Sequence, residues 1–299
     1  MQMMLAQGYV SESIGSILFF TFLALLLNSF ARSRNFFFIP YTLHGKKTPQ
    51  PTFVNVACCF GIYLGFSTIF APLMAHLIRM LSSAATNQNR APMLAMSALQ
   101  LTTTLAILLA LFFYCKRQDR QTMKVIIKNY SLPTAIAPWK DFLSGAIVWI
   151  LGFPVVAAVG QIFDVIVYLI FGMQSYEQVA VRYLKMTLGS MPMLFIALFS
   201  IIIAAPIIEE FLFRGMLQSW LKSRLGTKAA ILLSSLAFSL FHVAASQGLG
   251  NISLVASLFS FACFLGFIYE KHASLFASIG LHMTFNTIST LRILFFSES

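Results

Sequence analysis

Charge is the scarcest property of this chain. Only 10% of its 299 residues are charged, and nine acidic residues face 20 lysines and arginines. Together with 59% hydrophobic residues and a mean hydropathy of +0.83, that excludes an ordinary soluble domain. Cysteine is nearly as sparse. Cys58, Cys59 and Cys263 lie in apolar runs and Cys115 ends one, with no metal-ligand spacing among them. They read as small buried hydrophobes, and nothing requires a disulfide. There is no H-E-x-x-H pair of a zinc peptidase and no G-x-S-x-G elbow of a serine hydrolase. The first residues, 1–13, hold no basic residue, and the first apolar run is followed by Arg32 and Arg34. That order is the reverse of a cleaved signal peptide. No aromatic-interleaved basic patch accompanies the net charge of +11, so nucleic acid is not a partner the sequence suggests. Internal repeats, low-complexity segments and a soluble domain are also missing.

What is present is a succession of long apolar runs. A spanning helix needs ~20 mostly apolar residues. Runs of about that length fall at 14–30, 53–80, 93–114, 142–171, 191–208, 229–247, 252–269 and 274–296. The fold class they predict is all-α, a polytopic membrane helix bundle with about eight transmembrane helices, forming one domain over 1–299. Lys and Arg concentrate in the odd-numbered loops, among them Lys46 and Lys47, 116–140, Arg214–Lys228 and Lys271. The even loops hold only Arg79, Arg90, Arg182 and Lys185. Cytoplasmic loops are the basic ones, so both termini are expected outside, and the basic residues are expected to meet membrane lipids. Residues 116–129 mix basic and apolar types and predict an amphipathic helix on the cytoplasmic surface. Gly248–Asn251 reads as a tight turn, and Gly61-x-x-x-Gly65 as a site of close helix approach.

The chemistry concentrates between 191 and 296. Glu209 and Glu210 follow the fifth apolar run directly, and carboxylates inside or beside hydrocarbon default to function. If the helix continues, Glu210, Arg214, Gln218 and Lys222 recur every four residues as one polar stripe. Glu210 then has Arg214 as its i,i+4 partner. Glu209, rotated ~100° around the helix, has none. A carboxylate without a partner and away from water suits a general base. In the sixth run Phe238 and His242 are four apart and share a face. In the eighth, His282 and Asn286 do the same and supply two donors of the kind an oxyanion needs. Other polar residues read as structural: His76 as packing, Asp164 as interfacial, Arg292 as snorkelling outward, and His44 and His272 as solvated loop residues.

Glu209-Glu210-x-x-x-Arg214, Phe238-x-x-x-His242 and His282-x-x-x-Asn286, in that order, resemble the three motifs of the CPBP family of intramembrane proteases. That family includes type II CAAX prenyl endopeptidases. The resemblance covers about 191–296, the motif-bearing half, and no motif position departs from it. It implies that Glu209, assisted by His242, activates water against a peptide carbonyl, that His282 and Asn286 hold the oxyanion, and that Glu210, Arg214 and Phe238 support them. It also implies no obligatory cofactor, although one carboxylate and two imidazoles are a zinc-ligand set. The expected substrate is a membrane-associated peptide or protein, prenylated or not, reached from the cytoplasmic side. A non-proteolytic membrane scaffold of the same fold is the alternative from another class. A transporter or proton relay is a further one, but the two halves show none of the symmetry it calls for.

Overall fold

The computed structural model describes residues 2–39, 49–83, 91–129, 136–172 and 179–296. His44, Lys46, Lys47 and Arg90 lie outside them. The described residues form helices α1 (Gln2–Ser33), α2 (53–83), α3 (Ala91–Lys116), α4 (Arg120–Ile127), α5 (Pro138–Phe171), α6 (Val179–Thr187), α7 (Met191–Leu225), α8 (Thr227–Leu240), α9 (Gly250–His272) and α10 (Leu275–Phe296). They hold no strand, only an isolated bridge between Lys128 and Ser274. The fold is an all-α polytopic bundle, and each of the eight apolar runs contains a helix, although the run at 229–247 is α-helical only to Leu240 before a turn.

Six helices, α1, α2, α3, α5, α7 and α9, are long and apolar enough to cross a bilayer. The expected count of eight is therefore not reproduced. Helix α8 has 14 residues, which spans ~21 Å against ~30 Å of hydrocarbon. It stops at Leu240, not at 247, for a local reason. The His242 imidazole bonds to Phe238 O at 2.8 Å, while the His242 backbone N–H turns to Ser239 O. A side chain thus takes the carbonyl that another helical turn would have used. Asn251 then pins the loop by accepting from the Ala244 N–H and donating to the Ala244 carbonyl. By contrast, α7 does not end at 208. It runs on as a 35-residue helix, so Glu209 and Glu210 sit in its middle rather than at its end.

Helix α5 is the spine of the bundle, packed against α1, α9 and α10. It presents Gly145 to α10 and Gly152 and Gly160 to α9. A Cβ on Gly145 would land on the Ala277 carbonyl, and one on Gly280 on the Phe142 carbonyl, so here the two backbones touch. Small residues allow such an approach between membrane helices. Gly61 and Gly65, singled out for this purpose by their spacing, have open space around them.

Other surface expectations change as well. The apolar face of α4 is turned into the protein: Met123 and Ile126 are buried, and Ile126 O accepts from the Tyr269 hydroxyl. Cys58 and His76 are exposed rather than packed inside. His272 is no solvated loop residue; it closes α9 and bonds to the buried Asp141, which also pairs with the buried Lys128. Asp164 is half-buried and Arg292 exposed.

Replacing Gly145 by Ala should lower the thermal stability of the protein in detergent by about 1–3 kcal/mol, the cost of overpacking. Gly61→Ala should leave the melting temperature equal or raise it, because helix propensity improves and nothing is in the way.

Candidate active site

Helix α7 is irregular where the carboxylates sit. Residues Phe199–Ala204 and Phe211–Gln218 are π-helical, flanking the α-helical Ala205–Glu210. The cause of the first is Pro206. In a π-helix each N–H reaches back five residues, as the Ala205 N–H does to Ser200 O. The next N–H would take Ile201 O, but residue 206 is proline and has none. Asn286 fills the gap, its Nδ2 donating to Ile201 O at 2.8 Å. The amide of α10 is thereby tied to the break in α7, with one N–H committed and the other not.

The second π segment aligns the polar stripe. On an α-helix a four-residue step drifts ~40°. Wider π turns underwind the chain and correct that drift. Arg214, Gln218 and Lys222 then meet α9 at matching spacing. Arg214 donates to Ala262 O at 3.1 Å, Gln218 to Gly266 O and to Glu270 Oε1 at 3.0 Å each, and Lys222 pairs with Glu270 Oε2 at 2.5 Å. Gly266 is required here, since a Cβ would lie 2.6 Å from Gln218 Oε1.

Glu210 is fully buried, and its Oε1 accepts twice: from Arg214 at 3.2 Å and from His282 Nδ1 at 2.8 Å. Phe238 packs beneath, its ring 4.6 Å from the Arg214 guanidinium, 4.7 Å from the His242 ring and 5.8 Å from the His282 ring. Glu209 is on the neighbouring face and keeps 15% of its side chain exposed. Its Oε2 lies 3.7 Å from His242 Nε2 and 3.9 Å from His282 Nε2. These are too long for direct hydrogen bonds and are spanned naturally by water.

The tautomers follow from the partners. His242 Nδ1 faces a backbone carbonyl and His282 Nδ1 faces a carboxylate, so both Nδ1 atoms carry the proton. Each neutral ring then turns a bare Nε2 toward Glu209. The N–H that the sequence expectation assigned to an oxyanion on His282 is spent on Glu210. His282 regains a donor on that side only as the imidazolium, whose charge Glu210 would balance.

Thus Glu209, Glu210, Arg214, Phe238, His242 and His282 form one cluster, and Asn286 anchors its α10 wall. Two contributors have no motif to announce them. Pro206 creates the acceptor that Asn286 satisfies. Tyr63 of α2 packs on Phe241 with ring centroids 5.4 Å apart, and its phenol is close enough to Glu209 to interact electrostatically. A proline inside an apolar run was the available signal for the first; α2 offers none for the second. Among the described residues no three His, Cys, Asp or Glu side chains are gathered tightly enough to hold a metal ion as they stand.

Residues 191–288 match the family model of the type II CAAX prenyl endopeptidase Rce1-like proteins. No curated protein and no solved structure matches the chain.

Arg214→Met leaves the Glu210 charge buried with its guanidinium gone. It should destabilise the protein by about 3–5 kcal/mol in detergent melts, and Glu210→Gln added to it should recover much of that loss.

Proposed function

We propose that this chain, which over residues 191–288 belongs to the Rce1-like family of membrane proteases, is an endopeptidase whose nucleophile is a water held by Glu209. One observation carries the reading: a single carboxylate oxygen faces the bare Nε2 atoms of two imidazoles at 3.7 and 3.9 Å. A water seated there donates its two hydrogens to two of these three acceptors and keeps a lone pair for attack. Glu209 removes its proton as the oxygen adds to the peptide carbonyl, and His242 helps to hold the water and relay that proton to the departing amine. The oxyanion that develops is met by the second N–H of Asn286. Phe238 fixes both imidazole planes. The substrate is a membrane-associated peptide or protein. The match to a CAAX prenyl endopeptidase family makes a prenylated peptide the first one to try. The distribution of loop charge supports approach from the cytoplasmic side.

A zinc-dependent form is the second reading, and a specific feature favours it. Histidines that bind zinc through Nε2 usually donate Nδ1–H to a carboxylate or a backbone carbonyl, as His282 and His242 do here. Water and metal would occupy the same place, so the two readings separate on composition rather than on geometry.

Glu209→Gln should lower kcat on a membrane-anchored peptide by about 10²–10⁴-fold with little change in KM, and the variant should melt like the wild type. Undiminished cleavage by this variant would sink the assignment of the base. Stoichiometric zinc in the purified wild type, with activity lost to a chelator and restored by the metal, would select the second reading.

A further inference from the structure

A second feature lies apart from the catalytic cluster and does not depend on its interpretation. Between the end of α3, helix α4 and the starts of α5 and α10 is a groove of about 700 Å³. Its floor is apolar, with Met123, Ile127, Pro138 and Phe276 among the lining residues. Its polar lining is strongly one-sided in charge: Lys116, Arg120, Lys124 and Lys128, and no acidic side chain. Lys128 is neutralised by Asp141. The other three are exposed and make no ion pair with a described residue. The nearest acid in sequence, Asp119, is occupied as the cap of α4, accepting from the Thr122 N–H and hydroxyl at 2.8 Å each. Phe276 is ~9 Å along α10 from His282, which separates this groove from the catalytic cluster.

The position of the groove is that of a membrane–water boundary. Helix α3 ends there at Lys116, and α5 begins there with Pro138 and Trp139. Trp139 is 61% exposed, and Lys140 packs over its ring at 5.4 Å. An exposed tryptophan beside snorkelling cations is the residue mix that sits among headgroups. The ligand complementary to three unpaired cations above an apolar floor is an amphiphile with an anionic head.

We propose that this groove is a binding site for one anionic phospholipid, its phosphate held by Lys116, Arg120 and Lys124 and an acyl chain lying along Ile127 and Phe276. A bilayer lipid fits better than a soluble anion because the floor that continues the cation cluster is apolar. The occupant braces α4, whose Ile126 packs against Gly215 of the motif-bearing helix.

The test is native mass spectrometry of the full chain, released from detergent after titration with phosphatidylglycerol or phosphatidylcholine. The wild type should retain one phosphatidylglycerol in preference to phosphatidylcholine. The triple variant K116Q/R120Q/K124Q should bind it about a hundredfold more weakly, from the loss of three headgroup contacts. The variant R32Q/R34Q, which removes two cations elsewhere, should bind like the wild type. Lys124→Glu alone, at an exposed position, should remove the preference if the triple variant does not fold. Equal retention of the two lipids by the wild type overturns the proposal, as does equal loss in R32Q/R34Q. Displacement of the lipid by millimolar inorganic phosphate overturns it too, because the site would then be one for a free anion.

Discussion

One carboxylate oxygen, Glu210 Oε1, joins three of the four helices of the motif-bearing half, α7 and α10 directly and α9 through Arg214. It accepts from Arg214 on its own helix and from His282 on α10, and Arg214 in turn donates to Ala262 O on α9. All of this takes place out of contact with water, where a charge without its counter-charge is costly and a paired one is held in place. The consequence for chemistry is directional. Because Glu210 occupies Nδ1 of His282, the opposite nitrogen faces Glu209 in a fixed state and a fixed plane. Adjacent glutamates therefore do opposite work: the buried one fixes a histidine, and the partly exposed one meets whatever that histidine presents.

The backbone of α7 is as much a part of this arrangement as its side chains. Irregular backbone inside a bilayer persists only where other protein groups satisfy it. The break at Pro206 meets that condition through Asn286, and the π turns after Phe211 through the ladder from Arg214 to Lys222 along α9. Both irregularities sit within a turn or two of Glu209. They swing Arg214, Gln218 and Lys222 onto α9 and leave Glu209 facing His242 and His282.

Much of this cluster was legible in the sequence because motif spacing in a helix is geometry. The four-residue steps from Glu210 to Arg214 and from His282 to Asn286 place each pair on one face whatever the tertiary structure. Phe238 and His242 also meet as expected, though for another reason: the helix has ended, and the imidazole is brought back by its bond to the Phe238 carbonyl. What spacing could not carry is the identity of partners from other segments. His272 read as a solvated loop residue and Glu270 and Asp141 gave no signal, yet each is bound to a residue at least 48 positions away. Gly61 and Gly65 had the pattern of a helix contact without a helix to meet. Gly145 and Gly280 make the contact without sharing a pattern, since each lies on a different helix.

The family match stops at 288 and begins at 191, but the cluster is not closed by that segment alone. Phe60 and Tyr63 of α2 pack against Phe213 and Phe241 and form the wall on the far side of Glu209. Helix α5 lies against α9 and α10 at Gly145, Gly152 and Gly160, and of these only Gly145 leaves no room for a Cβ. Asp141 fastens the start of α5 to His272 at the end of α9 and to Lys128 at the end of α4. These demands are for shape and for one buried ion pair, and many sequences meet them. The motif-bearing half must instead place specific polar atoms against one another, which few sequences do. The same structure therefore explains why the motifs are recognisable in the second half and why the first, although it completes the site, carries no comparable signature.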